Sequence, residues 1–429
     1  MRYQPIHNTL FTENRRRLSV LLKPKSLVIL NANDFMPTNA DGTMGFRQNS
    51  DLFYLSGIDQ EETILLLFPD HPDEKYREVL FLRETSELIA IWEGDKLSKE
   101  QGRQVSGIKT VFWTHQFDRV MSDIVFVAEN VYLNTNEHTR NSSLVQTREA
   151  RYIQEFKTQY PLHNLSRLAP LMHQLRAIKQ PIEVELMQKA CNITKMGFER
   201  LLKFVTPGVQ EFEIEAELLH EFIRNRSKGF AYQPIIASGA SACVLHYIEN
   251  EKNCKDGDVL LLDVAAEYAN YASDLTRSIP VNGRFTKRQR EVYDAVLRVF
   301  KHAKSMLVAG NIWDEYHTEV GKFMESELIG LGLITKEDIA KQDPESPAYK
   351  KYFPHGTSHF LGLDVHDVGN KYQRFEPGMI FTCEPGIYIR EEGLGIRLEN
   401  NILITETGNF DLMEHIPIEA DEIESLMNS

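Results

Sequence analysis

Four carboxylates interrupt apolar runs in the second half of the sequence, and they restrict the fold more than any other feature. Asp263 and Asp274 stand eleven positions apart in the run LLLDVAAEYANYASD, which predicts two apolar strands joined by a turn, a hairpin whose strands carry both aspartates. Glu384 and Glu399 stand in FTCEPGIY and GIRLEN. An unpaired carboxylate buried in a strand costs on the order of several kcal/mol. Taken singly, an aspartate in such a run more often caps a turn or binds a backbone group. Carboxylates that converge repel one another until a cation arrives, so the set predicts a metal site.

Histidines cluster just before the first of the two glutamates. The run PHGTSHFLGLDVHD holds three of them, His355, His359 and His366, which is denser than a structural role requires. Gly356 and Gly362 are expected to let the backbone approach a site closely. One imidazole and four carboxylates can bind two divalent ions about 3.5–4 Å apart, a separation that suits a bridging hydroxide. Hard oxygen ligands favour Mn²⁺, with Co²⁺ or Zn²⁺ as alternatives.

The length of 429 residues exceeds one ordinary core and predicts two domains, 1–174 and 175–429. Short β-rich runs separated by turn residues and short helical stretches predict a smaller N-terminal α/β domain. A long amphipathic pattern begins near Pro181. Beyond it, predicted strands alternate with long helices, at 211–226, 259–264, 289–307, 379–382 and 401–404. The fold class is therefore α+β, with helices packed on a curved sheet in the C-terminal domain.

Composition excludes several classes of function. The net charge of −14 argues against the clustered basic residues that phosphate contacts with nucleic acid require. No run of about 18 apolar residues could span a bilayer, and the polar N-terminus lacks the apolar core of a signal peptide. Four cysteines without short paired spacing predict free thiols, not a zinc knot or a disulfide framework. We therefore expect a cytoplasmic protein with neither a nucleic-acid nor a membrane partner.

The ordered set Asp263, Asp274, His359, Glu384 and Glu399 resembles the metal ligands of the pita-bread metallopeptidases, which include aminopeptidase P, prolidase, creatinase and methionine aminopeptidase. The runs HGTSHFLGLDVHDVG and EPGIY are similar to those of the proline-specific branch. FRQNSDLFYLSG, near the N-terminus, is similar to the corresponding stretch of aminopeptidase P. The resemblance implies a C-terminal pita-bread domain after the smaller α/β domain. It also implies an enzyme that removes the first residue from peptides with proline at position two.

Catalytic roles follow from the resemblance alone. It implies that a hydroxide shared by two metal ions attacks the scissile carbonyl. Glu384 would bind metal and also pass a proton to the leaving proline nitrogen. His246 would help to hold the substrate and the tetrahedral oxyanion, and His355 and His366 would bind the substrate as charge develops. Each of these three histidines has a structural alternative, in a strand or in the folding of a loop.

The resemblance also implies residues that support or extend the site. Arg397 would pair with the ligand carboxylates and fix their orientation, with Tyr388 in the same layer. Asp41 would lie near the free amine of the substrate. Trp92 would be contributed by a neighbouring subunit, in a homodimer or a homotetramer.

Three other functions remain open at this point. Prolidase shares nearly all of the C-terminal motifs and differs mainly in accepting only Xaa-Pro dipeptides. A catalytically silent interaction module is disfavoured because all five ligand positions hold the expected residue type. A creatinase-like amidinohydrolase is disfavoured because that enzyme lacks this metal set.

Overall fold

The chain, described for residues 2–429 by a computed structural model, divides into two units, Tyr3–Leu175 and Arg176–Ser429, with Arg2 assigned to the second. The α-helices, in chain order, are α1 Thr9–Leu21, α2 Ser50–Ser56, α3 Glu87–Glu93, α4 Lys99–Ser106, α5 Phe117–Val125, α6 Arg148–Gln159, α7 Ala169–Ala177, α8 Pro181–Phe204, α9 Glu211–Arg224, α10 Lys287–Met306, α11 Trp313–Gly330, α12 Lys336–Ala340 and α13 Ala420–Met427. The strands are β1 Ser26–Asn31, β2 Ile64–Leu67, β3 Glu78–Leu82, β4 Thr110–Trp113, β5 Asn130–Leu133, β6 Asn164–Arg167, β7 Ile235–Ser238, β8 Val259–Asp263, β9 Glu267–Tyr268, β10 Tyr271–Ala272, β11 Thr276–Pro280, β12 Ile380–Cys383, β13 Gly386–Ile389, β14 Leu394–Arg397, β15 Asn400–Thr405 and β16 Gly408–Asp411.

The N-terminal unit is built on a six-stranded sheet with strand order β4-β3-β2-β1-β5-β6. Strand β2 runs antiparallel to β1 and β3, whereas β1, β5 and β6 run parallel. Strands β1 and β2 are buried along their whole length, as unbroken apolar runs predict for strands covered on both faces. Val120 and Ile124 of α5 and Phe156 of α6 share one apolar cluster with Leu27 and Ile29 of β1. The mixture of helices and strands expected for this part of the chain is present.

The long amphipathic pattern forms α8 in the C-terminal unit. Pro181 begins the helix, and a reciprocal capping box between Gln180 and Glu183 satisfies its first backbone groups. The buried stripe of α8 faces α9. At the contact, a Cβ on Gly197 would lie 2.6 Å from the ring of Phe222, so only glycine lets the two helices approach this closely.

Strands β8 and β11 form the hairpin expected around the first two carboxylates. They pair antiparallel with Thr276 opposite Asp263, and the short β9–β10 pair forms the tip. Asp263 ends β8, but Asp274 lies outside both strands, so the expectation that both aspartates are carried by strands was wrong for Asp274. The reason is that the side chain of Asn401, and not the backbone of a neighbouring strand, binds the backbone of Asp274. Its Oδ1 accepts from Asp274 N–H at 3.1 Å, and its Nδ2 donates to Asp274 C=O at 2.6 Å.

The two glutamates lie where the chain passes from one small sheet to the next. Cys383 of β12 pairs with Asn400 of β15, and Gly386 of β13 pairs with Arg397 of β14. Glu384 lies in the two-residue step between β12 and β13, and Glu399 lies in the matching step between β14 and β15. The register therefore brings the two carboxylates together although fifteen positions separate them.

The remaining expectations about the fold concern membranes and thiols. Among residues 2–429, no helix is both long and apolar enough to cross a membrane. The four cysteines are buried free thiols, which confirms that prediction. Helices α9 and α10 and strands β8, β12 and β15 lie within a few residues of their predicted bounds, and the α+β class is confirmed.

Candidate metal centre

Three of the predicted ligands meet in the C-terminal unit. One ligand atom each from Asp274, His359 and Glu399 lies within 4.8 Å of the other two. His359 Nε2 lies 3.3 Å from Asp274 Oδ2 and 3.5 Å from Glu384 Oε1, so the imidazole links the fourth residue to the group. Asp274 and Glu399 are buried, and Glu384 and His359 are partly exposed.

Backbone contacts fix the orientation of His359. Its N–H donates to Thr382 Oγ1 at 3.0 Å, and its C=O accepts from Thr382 N–H at 3.0 Å. Because the Phe360 carbonyl 2.9 Å from Nδ1 can only accept, Nδ1 must carry a hydrogen. In the neutral ring Nε2 is then the free lone pair, and it points at the carboxylates, as a metal-binding imidazole requires.

Each glutamate has a hydroxyl partner on one oxygen. Thr382 Oγ1 donates to Glu384 Oε1 at 3.2 Å, and Thr276 Oγ1 donates to Glu399 Oε2 at 2.6 Å. The second oxygen of Glu399 is different. Within the part of the chain that the structure describes, Glu399 Oε1 is buried and has no hydrogen-bond partner. A buried carboxylate oxygen without a partner calls for a bound cation or an ordered water.

The fifth predicted ligand, Asp263, is held by two neighbours. Its Oδ1 accepts from the Tyr232 hydroxyl at 2.7 Å, and its Oδ2 accepts from Arg397 Nη2 at 2.6 Å. Each carboxylate oxygen has a second lone pair, so both partners orient Asp263 without consuming its capacity to bind a cation. Asp263 is outside the group of three defined above; burial raises its pKa, with the charge of Arg397 opposing and that of Asp274 reinforcing the change.

Burial, reinforced by repulsion between the carboxylates, dominates the electrostatics of this centre. Burial, reinforced by the charges of Asp274 and Glu384, raises the pKa of Glu399 well above its usual value. Burial raises the pKa of Glu384 to about 7, with His359 opposing and Asp274 reinforcing the change. Burial disfavours the imidazolium of His359, yet its hydrogen bond with Asp274 and the charge of Glu384 raise its pKa overall. Without metal, these raised pKa values favour protonation of Glu384, Glu399 and His359. A bound cation would offset the same negative charge in place of those protons.

The residues present fit a divalent cation. The donor set consists of carboxylate oxygens and one imidazole nitrogen, which suits Mn²⁺ and similar ions. Glu399 Oε1 has no partner among residues 2–429, and His359 Nε2 lies among the carboxylate oxygens of Asp274 and Glu384. A cation there would satisfy Glu399 Oε1 and offset the repulsion that raises the carboxyl pKa values.

Metal affinity is expected to fall as the solution becomes more acidic. Because the pKa of Glu384 is about 7 before metal binds, its proton must leave, and this one group lowers the Mn²⁺ affinity about tenfold between pH 8 and pH 6. His359 and Glu399 act in the same direction. Calorimetric titration at both pH values, in two buffers of different ionisation enthalpy, measures the affinity and the protons released. Equal affinities without proton release would contradict the expectation.

A hydrogen-bonded chain connects three further predicted residues to Asp263. Arg397 is buried and donates through Nη1 to the Tyr388 hydroxyl at 2.8 Å. The Tyr388 oxygen lies 2.8 Å from His355 Nε2, while His355 Nδ1 lies 2.8 Å from the Gly356 carbonyl. Burial lowers the pKa of His355 to about 3, so the ring is neutral with its hydrogen on Nδ1. Tyr388, whose pKa burial raises to about 12, then donates to Nε2.

The other predicted residues lie in different surroundings. The His366 ring contacts the His359 ring, with centroids 4.4 Å apart. His246 is exposed, in a turn and not in a strand, and its charge acts on His355. Asp41 and Trp92 belong to the N-terminal unit, and both are exposed. Their predicted roles stay predictions.

Several residues that hold the ligands were missed by the sequence analysis. Thr382 stands two positions before Glu384, just as the predicted Arg397 stands two positions before Glu399, and this spacing puts side chains on one face of a strand. That signal was visible for Thr382. Tyr232 and Thr276 reach their carboxylates across the fold, from 31 and 123 positions away, and no local pattern reveals them.

A buried ion cluster anchors the loop that carries His366, and it too was missed. Asp367 pairs with Arg176, and Lys179 Nζ donates to its Oδ2 at 3.0 Å. A Cβ on Gly362 would lie 2.1 Å from that same oxygen, so the backbone at Gly362 approaches this ion cluster closely. At Gly356 the nearest atom, the Ser358 carbonyl oxygen, lies 3.8 Å from the position of a Cβ, and the expectation for this glycine stays a prediction.

Comparison with known proteins gives consistent relatives. Residues 185–406 match the model of metallopeptidase family M24, and residues 11–132 match the aminopeptidase P N-terminal domain. The Xaa-Pro aminopeptidases of Haemophilus influenzae and Escherichia coli are 36% and 34% identical to the chain, each over 97% of it and 97% of their own length. The structure of the aminopeptidase PepP from Pseudomonas aeruginosa superposes with a TM-score of 0.89 at 30% identity, covering 99% of this chain and 98% of that one.

Proposed function

Because the chain belongs to metallopeptidase family M24 and is a hydrolase, we propose that it is an aminopeptidase that cleaves the Xaa-Pro bond at the N-terminus of peptides. The observation that carries this proposal is the group of Asp274, His359 and Glu399, in which the buried Glu399 Oε1 has no partner among the described residues. Such a centre is built for a cation, and the relatives that share the chain's full length are named for this activity.

Two divalent ions, of which Mn²⁺ is our choice, would be held by Asp263, Asp274, His359, Glu384 and Glu399. Bound there, they would lower the pKa of a shared water and polarise the scissile carbonyl. Other side chains of the protein orient these ligands. Thr276 and Thr382 each fix one glutamate oxygen, and Arg397 and Tyr232 fix Asp263.

Proton transfer is assigned to Glu384. Its Oε1 lies 3.5 Å from His359 Nε2, and its Oε2 lies 3.8 Å from His355 Nδ1, so the carboxyl stands between a predicted ligand and a second histidine. A carboxyl that is partly exposed in this position can hold a proton and deliver it to the leaving proline nitrogen. His246 and His366 are the imidazoles proposed to contact substrate. His355 contacts it only after its Nδ1–H leaves the Gly356 carbonyl.

The proposed specificity follows from the chemistry of proline. The Xaa-Pro bond is a tertiary amide without an N–H group, so a site that anchors its substrate through that donor cannot hold it. Such a substrate must be gripped by the shape of its ring and by its free amine. We propose Asp41 as the partner of that amine.

The tripeptide Arg-Pro-Pro is expected to be cleaved between its first two residues, and the dipeptide Ala-Pro much more slowly. The measurement is hydrolysis by chelator-stripped protein with and without Mn²⁺. Asp274→Ala should abolish the reaction, whereas Asp256→Ala, which alters an exposed aspartate of the same unit, should leave it unchanged. Cleavage of the dipeptide alone would identify a prolidase, and cleavage of neither substrate by metal-loaded protein would reject the enzyme function.

We also propose that the chain associates with a second copy of itself through α3. Within residues 2–429 this helix has no buried residue, and Leu88, Ile91 and Trp92 are 65%, 77% and 81% exposed. Neighbouring large apolar side chains of this kind mark the core of an interface. Light scattering should give a multiple of the 49.5 kDa chain mass, and Ile91→Glu should reduce it. A monomeric wild-type protein would reject the homodimer or homotetramer.

The cytoplasmic location expected from the sequence stays a prediction.

A further inference from the structure

The segment that carries His246 lacks regular secondary structure but is anchored from inside. It follows the 3₁₀ helix Gly239–Cys243. Val244 and Ile248 are 54% and 42% exposed, whereas Tyr247 and Asn250 are only 6% and 3% exposed. Tyr247 and Asn250 are the two buried residues of 244–250, so the segment, called the arm below, keeps His246 exposed while the neighbouring Tyr247 is buried.

The first anchor is the carboxylate of Glu211, the first residue of α9. Glu211 is fully buried and accepts four hydrogen bonds. Its Oε1 accepts from Ser238 N–H at 2.8 Å and from Ser238 Oγ at 2.7 Å. Its Oε2 accepts from the Tyr247 hydroxyl at 2.8 Å and from Lys252 N–H at 2.9 Å. These bonds fill the usual acceptor positions of a carboxylate, and a negative charge is favoured in the first turn of a helix.

The second anchor is Asn250, which has a positive φ of 47°, a conformation that asparagine tolerates better than most residues. Its Oδ1 accepts from Ile236 N–H at 3.0 Å, and its Nδ2 donates to Glu215 Oε2 and to the Pro234 carbonyl, both at 3.0 Å. Glu211 and Glu215 are one helical turn apart and therefore share a face of α9. One face of α9 thus holds Tyr247, Asn250 and Lys252, and through Ser238 the end of strand β7.

We propose that Glu211 is a positioning residue that holds His246 in place for catalysis, acting through the Tyr247 hydroxyl. The proposal rests on the proposed function, in which His246 contacts the substrate. The alternative is that Glu211 and its partners only stabilise the fold. A positioning role differs from a stabilising role in one respect: it requires the effect of Tyr247 on turnover to disappear when His246 is absent.

A double-mutant cycle separates these roles. Tyr247→Phe removes one hydroxyl and is expected to lower kcat for Arg-Pro-Pro about 10-fold to 100-fold, with Mn²⁺ content unchanged, because displacing a catalytic group by about 1 Å has an effect of this size. In a His246→Ala background the same change should lower kcat less than about twofold. Glu211→Gln, which turns an acceptor into a donor facing other donors, should have a larger effect. Tyr293→Phe, which deletes a buried hydroxyl bonded to the Ile418 carbonyl, is the matched control.

Hydrogen exchange provides a readout that does not depend on activity. Amides of residues 244–250 should exchange faster in Tyr247→Phe than in the wild type, and those of β12 should not. Equal losses of kcat in both backgrounds, or unchanged exchange in the arm, would overturn the proposal. An inactive wild-type protein would reject the proposed function, and exchange would still decide whether Glu211 and Tyr247 hold the arm.

Discussion

Replacing Glu399 by glutamine is expected to abolish hydrolysis of Xaa-Pro peptides and, at the same time, to make the metal-free protein more stable. The loss of activity follows because a ligand oxygen becomes an amide nitrogen, which cannot bind a cation. Since metal ions contribute several kcal/mol to such reactions, we expect a fall of at least about 10³-fold in kcat/KM. The gain in stability of the metal-free protein arises because the Glu399 carboxylate is buried without a cation to offset its charge.

The gain in stability has a definite sign and pH dependence. Burial raises the pKa of Glu399 well above its usual value, and its Oε1 has no partner within residues 2–429. Below the ordinary carboxyl pKa both the folded and the unfolded chain are protonated, and no stability is lost. Above it the unfolded chain ionises first, so the free energy of unfolding of the metal-free wild type falls as pH rises. Glutamine carries no charge, keeps an acceptor for Thr276 and offers its NH₂ to the neighbouring carboxylates.

The measurement is the melting temperature of metal-free wild type and Glu399→Gln at pH 6 and pH 8. We expect the variant to be more stable by about 1–3 kcal/mol, or about 5 °C, with the larger difference at pH 8. Added Mn²⁺ should raise the melting temperature of the wild type only. Glu406→Gln, at an exposed turn seven positions away, serves as the control and should change neither property. A metal-free variant less stable than the wild type would show that the carboxylate is not strained by its neighbours.

The carboxylates in apolar runs were sufficient to predict where side chains that could hold a metal ion converge, because burial leaves few other ways to accommodate them. Hydrophobic periodicity was sufficient to predict the secondary structure of α8, α9 and β8, because their apolar positions are the ones that pack inward. It placed Asp274 wrongly in a strand, since the pattern does not reveal that the side chain of Asn401 binds the aspartate's backbone groups. Family M24 membership confirms the pita-bread fold that the motifs implied.

Contacts across long stretches of chain could not be predicted. Glu384 and Glu399 meet because β12 pairs with β15 and β13 pairs with β14, and strand register is a property of the assembled sheets. Glu211 illustrates the same limit: in the sequence it is one acidic residue at the start of an amphipathic helix, where capping explains it fully. Only the fold shows that its carboxylate is buried and binds Tyr247.

Arg397→Lys is expected to lower Mn²⁺ affinity about 10-fold to 100-fold and to reduce kcat even at saturating metal. One guanidinium makes three contacts in this centre. Nη2 donates to Asp263 at 2.6 Å, Nη1 to Tyr388 at 2.8 Å, and Nε to Thr276 Oγ1 at 3.1 Å. Thr276 in turn donates to Glu399, so a single side chain orients two predicted ligands and, through Tyr388, the ring of His355.

Lysine separates the charge of Arg397 from its geometry. It keeps the positive charge next to Asp263, so the electrostatic attraction is largely preserved. It cannot reproduce the planar fork, because one ammonium at the end of a flexible chain cannot reach Asp263, Tyr388 and Thr276 together. If orientation is what Arg397 supplies, affinity and turnover fall although charge is conserved. If charge alone matters, the lysine variant retains both.

Calorimetric titration with Mn²⁺ and kinetics on Arg-Pro-Pro at saturating metal measure the two effects. Arg288→Lys is the matched control, because Arg288 forms a similar fork onto Glu392, at 2.8 and 2.9 Å, in a pair outside the centre. Wild-type affinity and turnover in Arg397→Lys would refute the orienting role. A fall in affinity with full turnover at saturating metal would limit that role to metal binding, because a correctly filled centre would then react without the fork.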